Sequence, residues 1–98
     1  MTRKGYWIGR SDVTNPDGYQ AYIVANAPAL RKYGARFLAR GGAFEATEGK
    51  RWARNVVIEF PSLKAAQDCY HSPEYIAARD IRQKFADAEM VLVEGVSD

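Results

Sequence analysis

The chain has 98 residues, 47% of them hydrophobic and 27% charged, the profile of one ordinary globular domain over residues 1–98. It contains no stretch of the ~20 apolar residues needed to cross a bilayer, and no apolar segment of signal-peptide length follows its basic N-terminus. A single cysteine excludes an intrachain disulfide framework, so a cytoplasmic protein without a membrane partner is expected. The net charge of +2 hides an uneven distribution: residues 31–54 sum to +5 and residues 55–98 to −4. The basic block straddles a predicted hairpin and carries no recognisable nucleic-acid module, so it reads as solvated surface and no nucleic-acid partner is expected.

Tyr6 to Val13, "YWIGRSDV", is aromatic and β-branched without a helical stripe, which predicts a strand. In "TNPDGY", Asn15 can cap the free amides of a helix, Pro16 suits its first turn and Asp17 complements its dipole. Tyr19, Tyr22, Ile23, Ala27, Leu30 and Tyr33 then recur at helical spacing, Pro28 interrupts the ladder to Val24, and Gly34 supplies a left-handed stop. "ARFLAR" predicts a second strand. Beyond it, Gly41-Gly42 and "AFEAT" fit either a hairpin or one strand bent by a glycine bulge.

"NVVIEF" carries the strongest strand signal. Pro61 ends it, Ser62 can cap a helix to about His71, and Ser72-Pro73-Glu74 opens another to about Ala86. "MVLVEGV" closes the chain as a strand. The order predicts an α+β sandwich of βαββαβ order, with one antiparallel sheet and helices on one face.

Strand alternation adds a second expectation. Val56, Ile58 and Phe60 share one face while Val57 and Glu59 share the other; Met90 and Leu92 oppose Val91 and Val93, and Tyr6 and Ile8 oppose Trp7. Both faces are apolar, yet helices on one side can cover only one of them. A second copy of the chain is the simplest cover for the other, which predicts a homodimer.

"DCYHSPEY" contains the only cysteine and the only histidine. Two residues apart on a helix, Cys69 and His71 point to nearly opposite sides and cannot pair as thiolate and imidazole. The stretch reads as a joint between helices, with Cys69 an inert buried residue and His71 a capping or cavity-rim residue. With one histidine, one cysteine and no spaced carboxylates, no metal is expected. Phosphate loops, dinucleotide fingerprints and serine elbows are absent too, so no cofactor is expected.

Polar residues at otherwise apolar positions are the remaining candidates. Glu59 lies inside the best strand on the face away from the helices, where it can complete an ion pair or act as a general base. Arg40 ends the second strand, and Arg82 shares a helical stripe with Ala78, Ile81 and Phe85, with Tyr75 one turn below Ala78. A small-molecule cavity lined by Trp7, Phe37, Phe60 and Tyr75, with His71 at its rim, would use Arg40 and Arg82 to orient an anionic or aromatic metabolite.

"GYWIGRSDVTNPDGYQAY", "GARFLARGGAFEATEG" and "VVIEFPSLKAAQDCYHSPEYIAARDIR", followed by "VEG", together resemble the domain-of-unknown-function family 1330 from about Gly5 to Gly95. The chain departs from that pattern at Ile76 and Asp80. The resemblance implies a ferredoxin-like fold pairing into a dimeric α/β barrel. The wider superfamily it implies holds cofactor-free monooxygenases, muconolactone-isomerase-like proteins and haem-handling proteins. Three functions follow as expectations: a dimeric binder of a small anion, a cofactor-free isomerase or monooxygenase with Glu59 as base, or a dimer module without a ligand.

Overall fold

The computed structural model describes residues 3–97. In chain order it comprises β1 (Gly5–Val13), α1 (Pro16–Lys32), β2 (Arg36–Arg40), β3 (Arg54–Phe60), α2 (Leu63–Tyr70), α3 (Pro73–Phe85) and β4 (Ala86–Glu94). All strand pairs are antiparallel, in the order β2-β3-β1-β4. This is the expected α+β arrangement, with α1 packed against α3 and α2 against β1.

The helix boundaries follow local chemistry. The side chains of Asn15, Ser62 and Ser72 accept from the amides of Gly18, Ala65 and Tyr75, satisfying donors that the first turn of a helix leaves free. At the end of α1 the Gly34 amide donates to the Arg31 carbonyl at 3.3 Å and the Ala35 amide to Leu30 at 3.0 Å. That is a Schellman closure, and it needs the left-handed φ of 75° that Gly34 adopts.

The two faces of the sheet differ as alternation requires. Trp7, Ile58 and Phe60 are buried beneath the helices, whereas Ile8, Leu38, Val91 and Val93 remain exposed on the other side. Register places Ile8 between Val57 and Val91, and Tyr6 between Glu59 and Val93, so the open face carries continuous cross-strand rows. Its charges are largely matched. Arg10 pairs with Glu89, and Arg36 approaches Glu59 at 3.9 Å.

Two boundaries differ from the sequence reading. β4 begins at Ala86 and not at Met90, directly after α3, because Ala86 to Glu89 complete the ladder with Val13 to Arg10. Residues 41–53 form neither a third strand nor a tight turn. They are an exposed irregular loop that the Ala53 amide ties to the Asp12 carboxylate at 2.8 Å. The bulge lies earlier than the glycine pair: Phe37 pairs with Ile58 and Ala39 with Val57, leaving Leu38 as the extra residue.

Candidate functional site

A cleft opens between the helix-covered face of the sheet and helices α1 and α3. Trp7, Val56, Ile58 and Phe37 form its sheet wall, and Tyr19, Tyr22 and Asn26 of α1 and Arg82 of α3 face them. The space open to the centres of water molecules is about 50 Å³, and all non-atom space including the open mouth is about 530 Å³. A buried water needs roughly 10–15 Å³ on the first measure, so the inner part holds a few waters or one small ligand group.

The elements set the wall by simple periodicities. Trp7, Gly9 and Ser11 alternate on β1, so a large ring at one end gives way to hydrogen and a small hydroxyl, leaving space above β1. A methyl group on Gly9 would sit 3.0 Å from the Met90 methyl. On α1, Tyr19, Tyr22 and Asn26 follow one another at spacings of three and four on the buried face. Trp7 is held by packing against Phe60, Tyr70 and Tyr75 and by donation from its indole N–H to the Ala66 carbonyl at 2.9 Å.

Arg82 is the most informative group. It is 7% exposed, its Nε has no hydrogen-bond partner, and no carboxylate lies within ion-pair distance among the described residues. Its Nη1 donates to the Tyr75 hydroxyl at 3.3 Å, and Tyr75 in turn shares a hydrogen bond of 2.9 Å with Tyr22. Burial opposes the charge of Arg82, but the oxygens of Tyr75, Tyr22 and Tyr70 outweigh it and leave the guanidinium fully protonated. Burial also pushes the Tyr75 phenol well above its ordinary range, so it remains a neutral hydroxyl.

Arg40 and Arg54 bring two further guanidinium groups to the cleft, the first 4.1 Å from the Phe37 ring centroid and the second 5.6 Å from that of Tyr19. Neither has a carboxylate partner among the described residues. The bulge at Leu38 decides the position of Arg40. Strict alternation from Phe37 would turn Arg40 to the open face, but the extra residue pairs it with Val56 on the helix side.

Of the residues singled out from sequence, Trp7, Phe37, Arg40 and Arg82 therefore meet around one cleft. Tyr75 lies behind that wall, fully buried, and touches the cleft only through Arg82 and Tyr22. Phe60 packs on Trp7 with ring centroids 5.0 Å apart and supports the wall without lining it.

Two residues stand apart. His71 is exposed at the end of α2, its backbone capping the helix and its ring edge-on to Tyr70. Glu59 is on the open face, where it accepts from the Tyr6 hydroxyl at 3.4 Å. Cys69 is fully buried with its thiol directed at the Ala29 carbonyl at 3.6 Å, and burial pushes its pKa up to about 12, which makes it inert.

Tyr22, Asn26, Ser11 and Arg54 also belong to the cleft, and sequence reasoning did not place them there. Asn26 did leave a signal, as a polar residue four positions after Tyr22 on an otherwise apolar stripe. The described residues contain no cluster of histidine, cysteine or carboxylate side chains able to hold a metal ion, and no helix long and apolar enough to cross a membrane.

Solved structures share this fold. A protein of unknown function from Rhodopseudomonas palustris superposes with a TM-score of 0.74 at 16% identity, covering 100% of this chain and 86% of the other. SnoaB, a cofactor-independent oxygenase from Streptomyces nogalater, gives 0.64 at 10% identity over 99% and 97%. A dimeric ferredoxin-like protein of unknown function from Thermobifida fusca gives 0.63 at 18% identity over 95% and 92%. At such identities the likeness is one of fold, and it establishes the ferredoxin-like architecture. No curated protein matches the sequence. The profile of the domain of unknown function DUF1330 matches residues 4–96, nearly the whole chain, and the protein belongs to that family.

Proposed function

We propose that this protein is a homodimer whose subunits each bind a small organic anion, a carboxylate or enolate, in the cleft between the sheet and helices α1 and α3. The observation that carries this reading is Arg82, a buried guanidinium lining a cleft with no counter-ion among the described residues. Removing an arginine from water is expensive unless an anion completes it, and bidentate donation suits it to carboxylate oxygens. Arg40 and Arg54 add positive charge to the same cleft, and its aromatic walls suit a flat apolar body.

Dimerisation rests on the open face of the sheet. Four strands ~4.8 Å apart and five to nine residues long span roughly 500 Å² in plan. That approaches the ~800 Å² which each partner contributes to an interface of standard size. The paired charges Arg10–Glu89 and Arg36–Glu59 and the exposed Ile8, Leu38, Val91 and Val93 give this face the composition of an interface. The dimeric Thermobifida fusca protein of the same fold supports the same reading.

A proton abstraction by Glu59 gains no support from the cleft, since Glu59 stands on the opposite face of the sheet beside Tyr6 and Arg36. A cofactor-free oxygenase of this fold, SnoaB, keeps chemistry in view as a use of the bound anion.

The test is a thermal-shift screen of aromatic and aliphatic carboxylates, followed by titration calorimetry on wild type and Arg82→Met. Stabilisation by at least one acid, lost in Arg82→Met, is the expected result. A protein that no acid stabilises, or a variant that binds as tightly as wild type, refutes the reading.

A further inference from the structure

The hydrogen bonds behind the cleft have a direction, and that direction constrains what can bind. An arginine side chain only donates, so in the 3.3 Å contact from Arg82 Nη1 the Tyr75 oxygen is the acceptor. Tyr75 is fully buried, and among the described residues the one oxygen that shares a hydrogen bond with its hydroxyl is that of Tyr22, 2.9 Å away. A buried hydroxyl proton left without an acceptor costs about 1–3 kcal/mol, so the Tyr75 proton goes to Tyr22. Tyr22 is thereby an acceptor in that bond. Its own proton has no acceptor among the described side chains and backbone groups, and Tyr22 lines the cleft.

We infer that Arg82, Tyr75 and Tyr22 form a one-way hydrogen-bond chain that presents the Tyr22 hydroxyl proton to the cleft, so that the ligand group seated there must accept and not donate. This deepens the anion-binding reading and rests on it. Arg82 supplies charge, Tyr22 supplies an oriented neutral donor, and Tyr75 is a positioning residue that never touches the ligand. The guanidinium polarises Tyr75, and Tyr75 polarises Tyr22, so each donor in the series is strengthened by the one behind it. A carboxylate or enolate oxygen satisfies both ends, whereas an amidinium or amine would face a cation and a fixed donor at once.

The experiment has two arms. In the first, titration calorimetry compares benzoate with benzamidine, a donor-only cation of the same shape. Wild type is expected to take benzoate and reject benzamidine. Tyr22→Phe should weaken benzoate at least roughly tenfold, the value of one hydrogen bond to a charged group. Tyr75→Phe should weaken it several-fold, and the double variant should be no weaker than Tyr22→Phe alone, because Tyr75 acts through Tyr22.

The second arm needs no ligand and no substitution: proton NMR of the wild-type protein with ring-labelled tyrosine. A slowly exchanging Tyr75 hydroxyl proton, with cross-peaks to the Tyr22 ring, is expected. A protected hydroxyl on Tyr22 and an exchanging one on Tyr75 overturns the chain, as does Tyr22→Phe binding benzoate like wild type. If wild type binds no acid, the anion reading fails, while the NMR arm still decides the direction of the chain.

Discussion

Replacing Arg82 by methionine should make the ligand-free protein more stable while abolishing anion binding. Three effects of the substitution follow from the geometry. The unpartnered Nε of Arg82 leaves a buried donor unsatisfied at a cost of about 1–3 kcal/mol, and removing it recovers that amount. The charge itself, at 7% exposure without a counter-ion among the described residues, carries a desolvation penalty that methionine lacks. Against these stands the loss of the bond to Tyr75, which at 3.3 Å is long and belongs near the weak end of charged hydrogen bonds, about 1.5 kcal/mol. Tyr75 keeps Tyr22 as a partner, so no orphan is created behind the cleft. Methionine fills most of the arginine stem's volume and adapts to irregular gaps.

The balance favours the variant by about 1 kcal/mol, which for a domain of this size raises Tm by roughly 4–8 °C. Differential scanning calorimetry at one fixed protomer concentration measures it, since the Tm of the proposed dimer would depend on concentration. A variant destabilised by more than about 2 kcal/mol would show that the guanidinium holds the helices on the sheet, and the reasoning that makes it a ligand group would fall.

The other predictions concern the open face, a packing glycine and the cysteine. Ile8→Lys with Val91→Glu, at paired positions in the middle of the exposed face, should convert the proposed homodimer to a folded monomer in sedimentation velocity; a variant that associates like wild type would refute an interface on this face. A methyl group on Gly5 would lie 2.4 Å from the Ser62 carbonyl oxygen and 2.5 Å from Leu63 Cα, both backbone atoms that start α2. Gly5→Ala should therefore cost about 3 kcal/mol in urea unfolding, and a change below about 0.5 kcal/mol would contradict the close approach of β1 to α2. Cys69 should resist alkylation in the native protein and react on unfolding, because it is fully buried. Its folded thiol pKa, about 12, lies above the ordinary value of 9.0, so its contribution to stability is complete below pH 9 and is lost as pH rises from about 9 towards 12. Stoichiometric labelling within minutes under native conditions would refute that placement.

Much of this fold was legible in the chain because its determinants are local. Asn15, Ser62 and Ser72 each cap a helix through their own neighbouring amides, and Gly34 closes α1 through residues only a few positions away. Trp7, Ile58 and Phe60 declared the buried face through period-two alternation, which needs no knowledge of what packs on it. The spacing of Cys69 and His71 likewise sufficed to read their stretch as a helix joint.

Tertiary structure alone decided the cleft. Tyr22 and Tyr75 lie 53 residues apart, and no periodicity states that their hydroxyls meet. Arg40 faces the helices only because one extra residue at Leu38 shifts the register of β2 on β3, and alternation along β2 alone predicts the opposite side. β4 starts at Ala86 because Val13 to Arg10 offer a ladder to pair with, a partner invisible in the polar run "ADAE". Periodicity reports which side of an element avoids water; which residues of distant elements touch depends on register and packing, which take shape only when the chain closes on itself.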